Sequence, residues 1–213
     1  MNNAKQPAVI TLDGPSGAGK GTLAKLLAQH LGWHILDSGA LYRLTALNAH
    51  EQAVALDDID AVAAVAQNLE VEFLPGKQNQ PVSALLAGKD VTEKIRTESC
   101  GSMASQIAPF DKVREALLQR QRDFLQSPGL IADGRDMGTV VFPNANCKLY
   151  IIASPEERAR RRQLQLKQQG QSVKIAHLLR EIKERDDRDS NRKHAPLKPA
   201  DDAITVDTST IPI

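Results

Sequence analysis

Apolar runs of strand length alternate along this chain with stretches whose apolar residues recur at helical spacing. The runs "AVITLD" (8–13), "HILDS" (34–38), "GLIADG" (129–134), "KLYIIA" (148–153) and "AITVD" (203–207) each have the length of a buried strand and end at Asp, Gly, Ser or a turn. Such alternation predicts an α/β fold, a five-stranded parallel sheet wrapped by helices. One segment departs from the pattern. Over 69–91, "LEVEFLPGKQNQPVSALLAGKDV" mixes alternating apolar residues with the turn formers PGKQNQ and AGKD, which predicts a small antiparallel insert. "SPGL" (127–130) and "HAPLKPA" (194–200) are too short to free two cores from each other, so residues 1–213 are expected to form one unit. Open α/β sheets bind ligands beyond the carboxyl ends of their strands, and the polar residues that follow each run are where chemistry is expected.

The first run leads into "GPSGAGKGT", and that into "LAKLLAQHLG", whose Leu23, Leu26, Leu27 and Leu31 fall on one helical face. Strand, glycine-rich loop and helix together form the context of a phosphate-binding loop. Gly14, Pro15, Ser16, Gly17, Ala18, Gly19, Lys20, Gly21 and Thr22 would cradle a nucleoside triphosphate. The glycines let backbone N–H groups turn inward, the helix N-terminus adds positive potential, and Lys20 brings a mobile charge to the terminal phosphates. The usual motif places Ser or Thr directly after the lysine. Here Gly21 intervenes, which leaves Thr22 to serve Mg2+, through water. After the second run, "LDSGALYR" puts Asp37, Ser38 and Gly39 at a helix start with Arg43 in its first turns, a candidate second anion site.

Composition narrows the field. Lys and Arg number 27 against 26 Asp and Glu, a formal net charge of +1, so no global field calls for nucleic acid or an anionic membrane. Aromatic residues make up 3% of the chain, which argues against base-stacking platforms for nucleic acid. No basic leader precedes a long apolar stretch, and no window reaches the roughly 18 apolar residues of a membrane helix. A cytoplasmic protein with no membrane partner is expected, acting as a monomer. Cys100 and Cys147 have no metal or redox spacing and read as buried thiols. His30, His34, His50, His177 and His194 form no constellation, so no histidine catalysis and no zinc are expected.

The chain resembles the nucleoside monophosphate kinases, in which a glycine between the loop lysine and threonine is habitual. Within them it is most similar to the bacterial cytidylate kinases, through "GPSGAGKGTLAK", "WHILDSGALYR", "IRTE", "ASQIA", "VREALLQRQR", "GLIADGRDMGTVVFP" and "EIKERDDRDSNR". The likeness runs from residue 8 to about 207. It implies a P-loop NTPase core, a monophosphate-binding subdomain over 38–105 carrying a three-stranded insert near 69–91, and a short helical lid over 155–170. Beyond "DTSTIPI" the family continues into a further helix. The resemblance assigns the acceptor nucleotide to Ser38, Arg43, Ser105, Arg114, Arg135, Asp136, Arg185, Asp189 and Arg192. Ser105 and Arg114 rest on it alone, since periodicity by itself makes Arg114 a helix-surface charge.

Two charged segments can be read independently. In "SVKIAHLLREIKERDDRDSNR", Ser172 is expected to cap a helix whose apolar face, Ile175, Leu178, Leu179 and Ile182, continues through Arg185, Asp189 and, if the helix persists, Arg192. Lys183, Glu184, Asp187 and Arg188 fall on other faces. In "SPEERARRRQLQLKQQG", Ser154, Pro155 and Glu157 form a capping box that starts a helix ending near Gly170. Arg158, Arg161 and Arg162 share one side of it and Arg160 points away. That helix is either a solvated basic surface or a lid whose arginines neutralise the transferring phosphoryl group; the resemblance implies the lid, with Arg158 and Arg162 foremost. Asp133, at the end of the third run, is a candidate for the metal side or a helix-start cap. Asp57, Thr92 and Asp111 read as helix caps.

The expected reaction is transfer of the γ-phosphoryl of Mg-ATP to a phosphate oxygen of CMP or dCMP, with ATP and Mg2+ as cofactors and Lys20, Arg158, Arg161 and Arg162 as the catalytic cations. The alternatives are a kinase of another acceptor, such as UMP or shikimate, and a nucleotide-gated binding protein.

Overall fold

The computed structural model describes residues 7–74, 83–168 and 170–211. The expected turn PGKQNQ therefore lies outside the described residues, as do Gln169 and the final dipeptide of "DTSTIPI". The chain divides into two compact units, one made of the chain up to Asp37 and from Gln121 onward, the other of Ser38–Arg120.

The first unit is built on a parallel sheet of β1 (Ala8–Asp13), β2 (His34–Asp37), β6 (Gly129–Asp133), β7 (Cys147–Ile152) and β8 (Ile204–Asp207), in the order β2-β6-β1-β7-β8. Its register sets Leu12 beside Asp133 on one side and Asp13 beside Tyr150 on the other, so β1 and β6 end within a residue of each other and β7 runs two residues further. Helices α1 (Lys20–Leu31), α6 (Pro155–Gln168) and α7 (Ile175–Ser190) complete the unit.

Helix α1 buries only part of its leucine face. Lys20, Ala24 and Ala28 are its buried residues, flanked by half-buried Leu23 and Leu27, whereas Leu26 is 58% exposed and Leu31 39%. The loop ties α1 to the end of β1, and small alanines let the helix approach the sheet over Leu12, Ile131 and Ile151.

Helix α6 starts at Pro155, and the Ser154 hydroxyl accepts the Glu157 N–H at 3.2 Å, one half of the expected capping box. The other half is missing, because the Glu157 carboxylate accepts from Arg160 and Arg161. Ala159 and Leu166 of α6 pack against Leu178 of α7. Helix α7 begins at Ile175 after Lys174, without the expected Ser172 cap, and ends at Ser190, so Arg192 lies just beyond it. Ile175 stays 44% exposed.

The second unit contains α2 (Ser38–Glu51), α3 (Ile59–Gln67), α4 (Glu98–Ile107), most of α5 (Asp111–Arg122), and a three-stranded antiparallel sheet of β3 (Val71–Leu74), β4 (Ser83–Leu86) and β5 (Lys89–Asp90). Nine residues of α2 are buried, which explains why it shows no single apolar face. The cap of α3 is Asp58, accepting the Ala61 N–H at 3.0 Å, one residue after the expected Asp57. Thr92 caps no helix. Its hydroxyl accepts the Ala84 N–H at 2.9 Å and closes the small sheet, while Thr97 caps α4. Asp111 opens α5.

Candidate active site

Residues Gly14–Thr22 wrap the carboxyl end of β1. Gly14 has φ +141°, and a Cβ there would lie 2.0 Å from the Ile151 carbonyl oxygen, so neither the backbone angle nor the space admits a side chain. Gly19 caps α1 in the left-handed region at φ 95°, and no side chain caps this helix. Its first-turn N–H groups thus remain available to an anion. Lys20 is 5% exposed. Its ammonium donates to the Pro15 carbonyl at 2.9 Å and stands 3.9 Å from Asp133 Oδ1. Burial pushes the lysine down to about 8 and the Asp133 carboxyl up to about 7, the lysine and Arg135 partly opposing the latter shift. A buried cation with so few protein partners fits an anionic ligand that restores its charge.

Thr22 stands in the exposed first turn of α1, after the Lys20 that faces Asp133 at the end of β6. Among the described residues no trio of His, Cys, Asp and Glu could hold an ion by itself. One hydroxyl and one carboxylate suit Mg2+, which commonly keeps waters and takes its remaining ligands from phosphates.

The arginines of α6 part company. Arg158, 2% exposed, donates Nε to the Ala153 carbonyl at 2.9 Å and Nη1 to the Ser16 carbonyl at 3.2 Å. It also grips Asp186 bidentately at 3.0 and 2.5 Å. Arg158 thereby links the phosphate loop to α6 and α7, and Asp186, which the helical pattern did not single out, is its partner on α7. Arg161 donates to Glu157 at 2.8 Å and to the Thr208 carbonyl, and its guanidinium reaches within 3.9 Å of where a Cβ on Gly19 would be. Arg160 pairs with Glu157 too, although helical phase set it apart from Arg161; it is the more exposed of the two, at 61% against 12%. Arg162 is half-buried and donates to Gln165 at 2.8 Å.

Beside Arg161 opens a cavity of about 510 Å3, walled by α6 and by Ser209, Thr210 and Ile211 after β8. The Thr208 hydroxyl lies 2.9 Å from the Ala18 carbonyl and ties this segment to the phosphate loop. Nothing in the motif pattern marks it; its position after the last strand was the only available signal.

On α7, Arg185 and Asp189 turn inward and Lys183, Glu184, Asp187 and Arg188 outward. Asp189, 1% exposed, accepts Arg135 Nε at 2.9 Å and an Arg192 guanidinium N–H. Burial alone would raise its pKa, but Arg135 and Arg192 hold it below the usual carboxylate range. Asp136 is 4% exposed and opens the π-helical turn Met137–Val141.

In the second unit Arg43 donates to the carbonyls of Ile95 at 2.6 Å and Thr97 at 3.2 Å, and lies so close to Gly101 that a Cβ there would meet it at 3.0 Å. Ser38 and Ser105 are buried. Arg114 is half-buried rather than on the surface, 3.4 Å from the hydroxyl of Tyr42 on α2. Cys100 is buried, with its thiol pushed up by desolvation, and Cys147 is half-buried.

The family model for cytidylate kinase matches residues 10–213. The chain belongs to the cytidylate kinase family. A cytidylate kinase from Shewanella amazonensis is 57% identical over 210 residues, 99% of this chain and 91% of the relative. One from Shewanella sp. (strain MR-4) is 57% identical over 206 residues, covering 97% and 90%. Among solved structures, a gluconokinase from Sinorhizobium meliloti 1021 aligns over 94% of this chain and 82% of its own, with a TM-score of 0.44 and 14% identity. Among the described residues no helix is long and apolar enough to cross a membrane.

Proposed function

We propose that this chain transfers the γ-phosphoryl group of Mg-ATP to a phosphate oxygen of CMP or dCMP, giving ADP and the corresponding diphosphate. The observation that carries the reading is the phosphate loop with buried Lys20 in a chain matched to the cytidylate kinase family over residues 10–213. The bond from the γ-phosphorus to the bridging oxygen of ADP breaks as the acceptor oxygen bonds to that phosphorus. The acceptor phosphate is already anionic at neutral pH, so no general base is required, and the protein's task is positioning and charge neutralisation.

Lys20 and the N-terminus of α1 hold the terminal phosphates, and the cavity beside Arg161 seats the donor base. Arg161 and Arg162 face the transferring group, with Arg158 acting through Ser16. Thr22 and Asp133 would hold Mg2+, which supplies neutralisation of the phosphate oxygens. Arg43, Arg135 and Arg185 bind the acceptor phosphate, Ser38 assists there, and Asp189 with Arg192 serves ribose and base. Cytosine offers an N4 amine to Asp136 and acceptors at N3 and O2 to Ser105 and Arg114. Uracil reverses the first two groups, leaving polar atoms unpaired at about 1 to 3 kcal/mol each. We further propose a cytoplasmic monomer with no nucleic-acid partner.

A panel of nucleoside monophosphates, with ADP detected by a coupled assay, tests the reading. The expected result is kcat/KM for CMP at least about a hundredfold above UMP, reduced in Asp136→Asn mainly through lost CMP activity. Equal use of UMP, or an unchanged ratio in the variant, refutes the assignment of Asp136; no turnover with any cytidine nucleotide refutes the function.

A further inference from the structure

The turn after β6 hangs from the last residue of β1. Asp13 is 5% exposed, and its two oxygens accept separate backbone N–H groups, Oδ1 from Met137 and Oδ2 from Gly138, both at 2.8 Å. Those residues open the π-helical turn, in which the N–H groups of Val140 and Val141 return to the Asp136 carbonyl. Just upstream, the Gly134 N–H donates to the Leu12 carbonyl at 3.0 Å. Arg135 and Asp136 are thus held between two attachments to the end of β1. The fit at Gly138 is close: a Cβ would lie 2.9 Å from Thr11 Oγ1, 3.1 Å from Lys148 Cδ and 3.3 Å from Asp13 Oδ2. Asp13 has no part in the mechanism above, yet it sits deeper than many groups that do.

We propose that Asp13 is a positioning residue for the acceptor. Its paired bonds to Met137 and Gly138 fix the segment carrying Arg135 and Asp136, and so set where the first meets the acceptor phosphate and the second the base. This rests on the acceptor roles given to those two residues. The choice of aspartate has a physical reason, since two neighbouring N–H donors need two acceptor oxygens held in a fork. Asparagine has nearly the same shape but offers one oxygen and turns an amide N–H against the second donor.

Asp13→Asn tests the proposal in two ways, by kinetics with ATP and CMP varied separately and by amide hydrogen exchange on the nucleotide-free protein. The expected result is a KM for CMP raised about tenfold or more, as for a lost charged hydrogen bond, with the KM for ATP changed less than about twofold. Exchange should quicken at Met137 and Gly138 and stay unchanged at Gly17–Thr22. Gly138→Ala, whose Cβ would crowd Thr11, Lys148 and the Asp13 carboxylate itself, should give the same split between the two KM values. Unaltered exchange at Met137 and Gly138, or equal rises in both KM values, overturns the proposal. Wild-type preference for a different acceptor overturns the cytidine reading instead, and the exchange measurement still decides whether Asp13 holds the turn.

Discussion

Replacing Asp186 with asparagine should cost folding free energy and donor affinity together. Arg158 is 3% exposed at its side chain and Asp186 24%, and they share two hydrogen bonds. Removing one partner of a buried ion pair costs about 3 to 5 kcal/mol, because the other charge is stranded. Two features reduce that figure here. Asparagine keeps one acceptor oxygen, and the bonds from Arg158 to the carbonyls of Ala153 and Ser16 remain. We therefore expect a loss of about 2 to 3 kcal/mol, read as a lower urea midpoint at unchanged slope. Because one of those carbonyls belongs to the phosphate loop, the KM for ATP should rise while that for CMP holds. The double variant Arg158→Met/Asp186→Leu should recover much of the stability, since an apolar pair strands no charge, but not the affinity for ATP. A loss under about 0.5 kcal/mol, the range of ordinary surface substitutions, would refute the view that this pair anchors the loop.

Lys20→Met should lower kcat at least about a hundredfold, the order of one strong transition-state contact; near-normal single-turnover rates would remove the phosphate-loop assignment. Arg162→Ala should depress kcat steeply and Arg160→Ala hardly at all, since the latter is 61% exposed and, among the described residues, pairs with Glu157 one turn away; comparable kcat values for the two variants would argue against a catalytic face on α6.

The sheet was legible because each core strand is a compact apolar run closed by a turn former, and observed bounds such as Gly129–Asp133 differ from those expected by only a residue. The phosphate loop was legible because its chemistry is local, nine consecutive residues between a strand and a helix. What escaped depends on groups far apart in sequence. Asp186 looks like one more charge in "ERDDRD" until α6 packs against α7 and brings Arg158 to it. Asp13 reads as a strand-ending aspartate, and only the return of the chain at residue 137 gives its carboxylate two N–H groups to hold. The leucine face of α1 is only half buried, Leu23 and Leu27 packing on the core while Leu26 and Leu31 stay exposed, because leucine content reports hydrophobicity whereas close approach to a sheet favours alanine. Caps failed by one residue or by function, as at Asp57 and Thr92, since several polar residues stood near each helix start.

The strand order has a consequence for how the protein is made. β1 emerges first during synthesis, yet its neighbours are β6 and β7, with Ala8 beside Gly129 and Ile10 beside Cys147. At about 5–20 residues per second, β1 waits several seconds on the ribosome before either partner exists. The unit Ser38–Arg120 is continuous in sequence and emerges whole within that interval. It can fold while β1 and β2 of the parallel sheet still lack the β6 strand that joins them, so a nascent chain halted shortly after Arg120 has cleared the exit tunnel should already protect α2 and α4 from protease while leaving the phosphate loop open to cleavage.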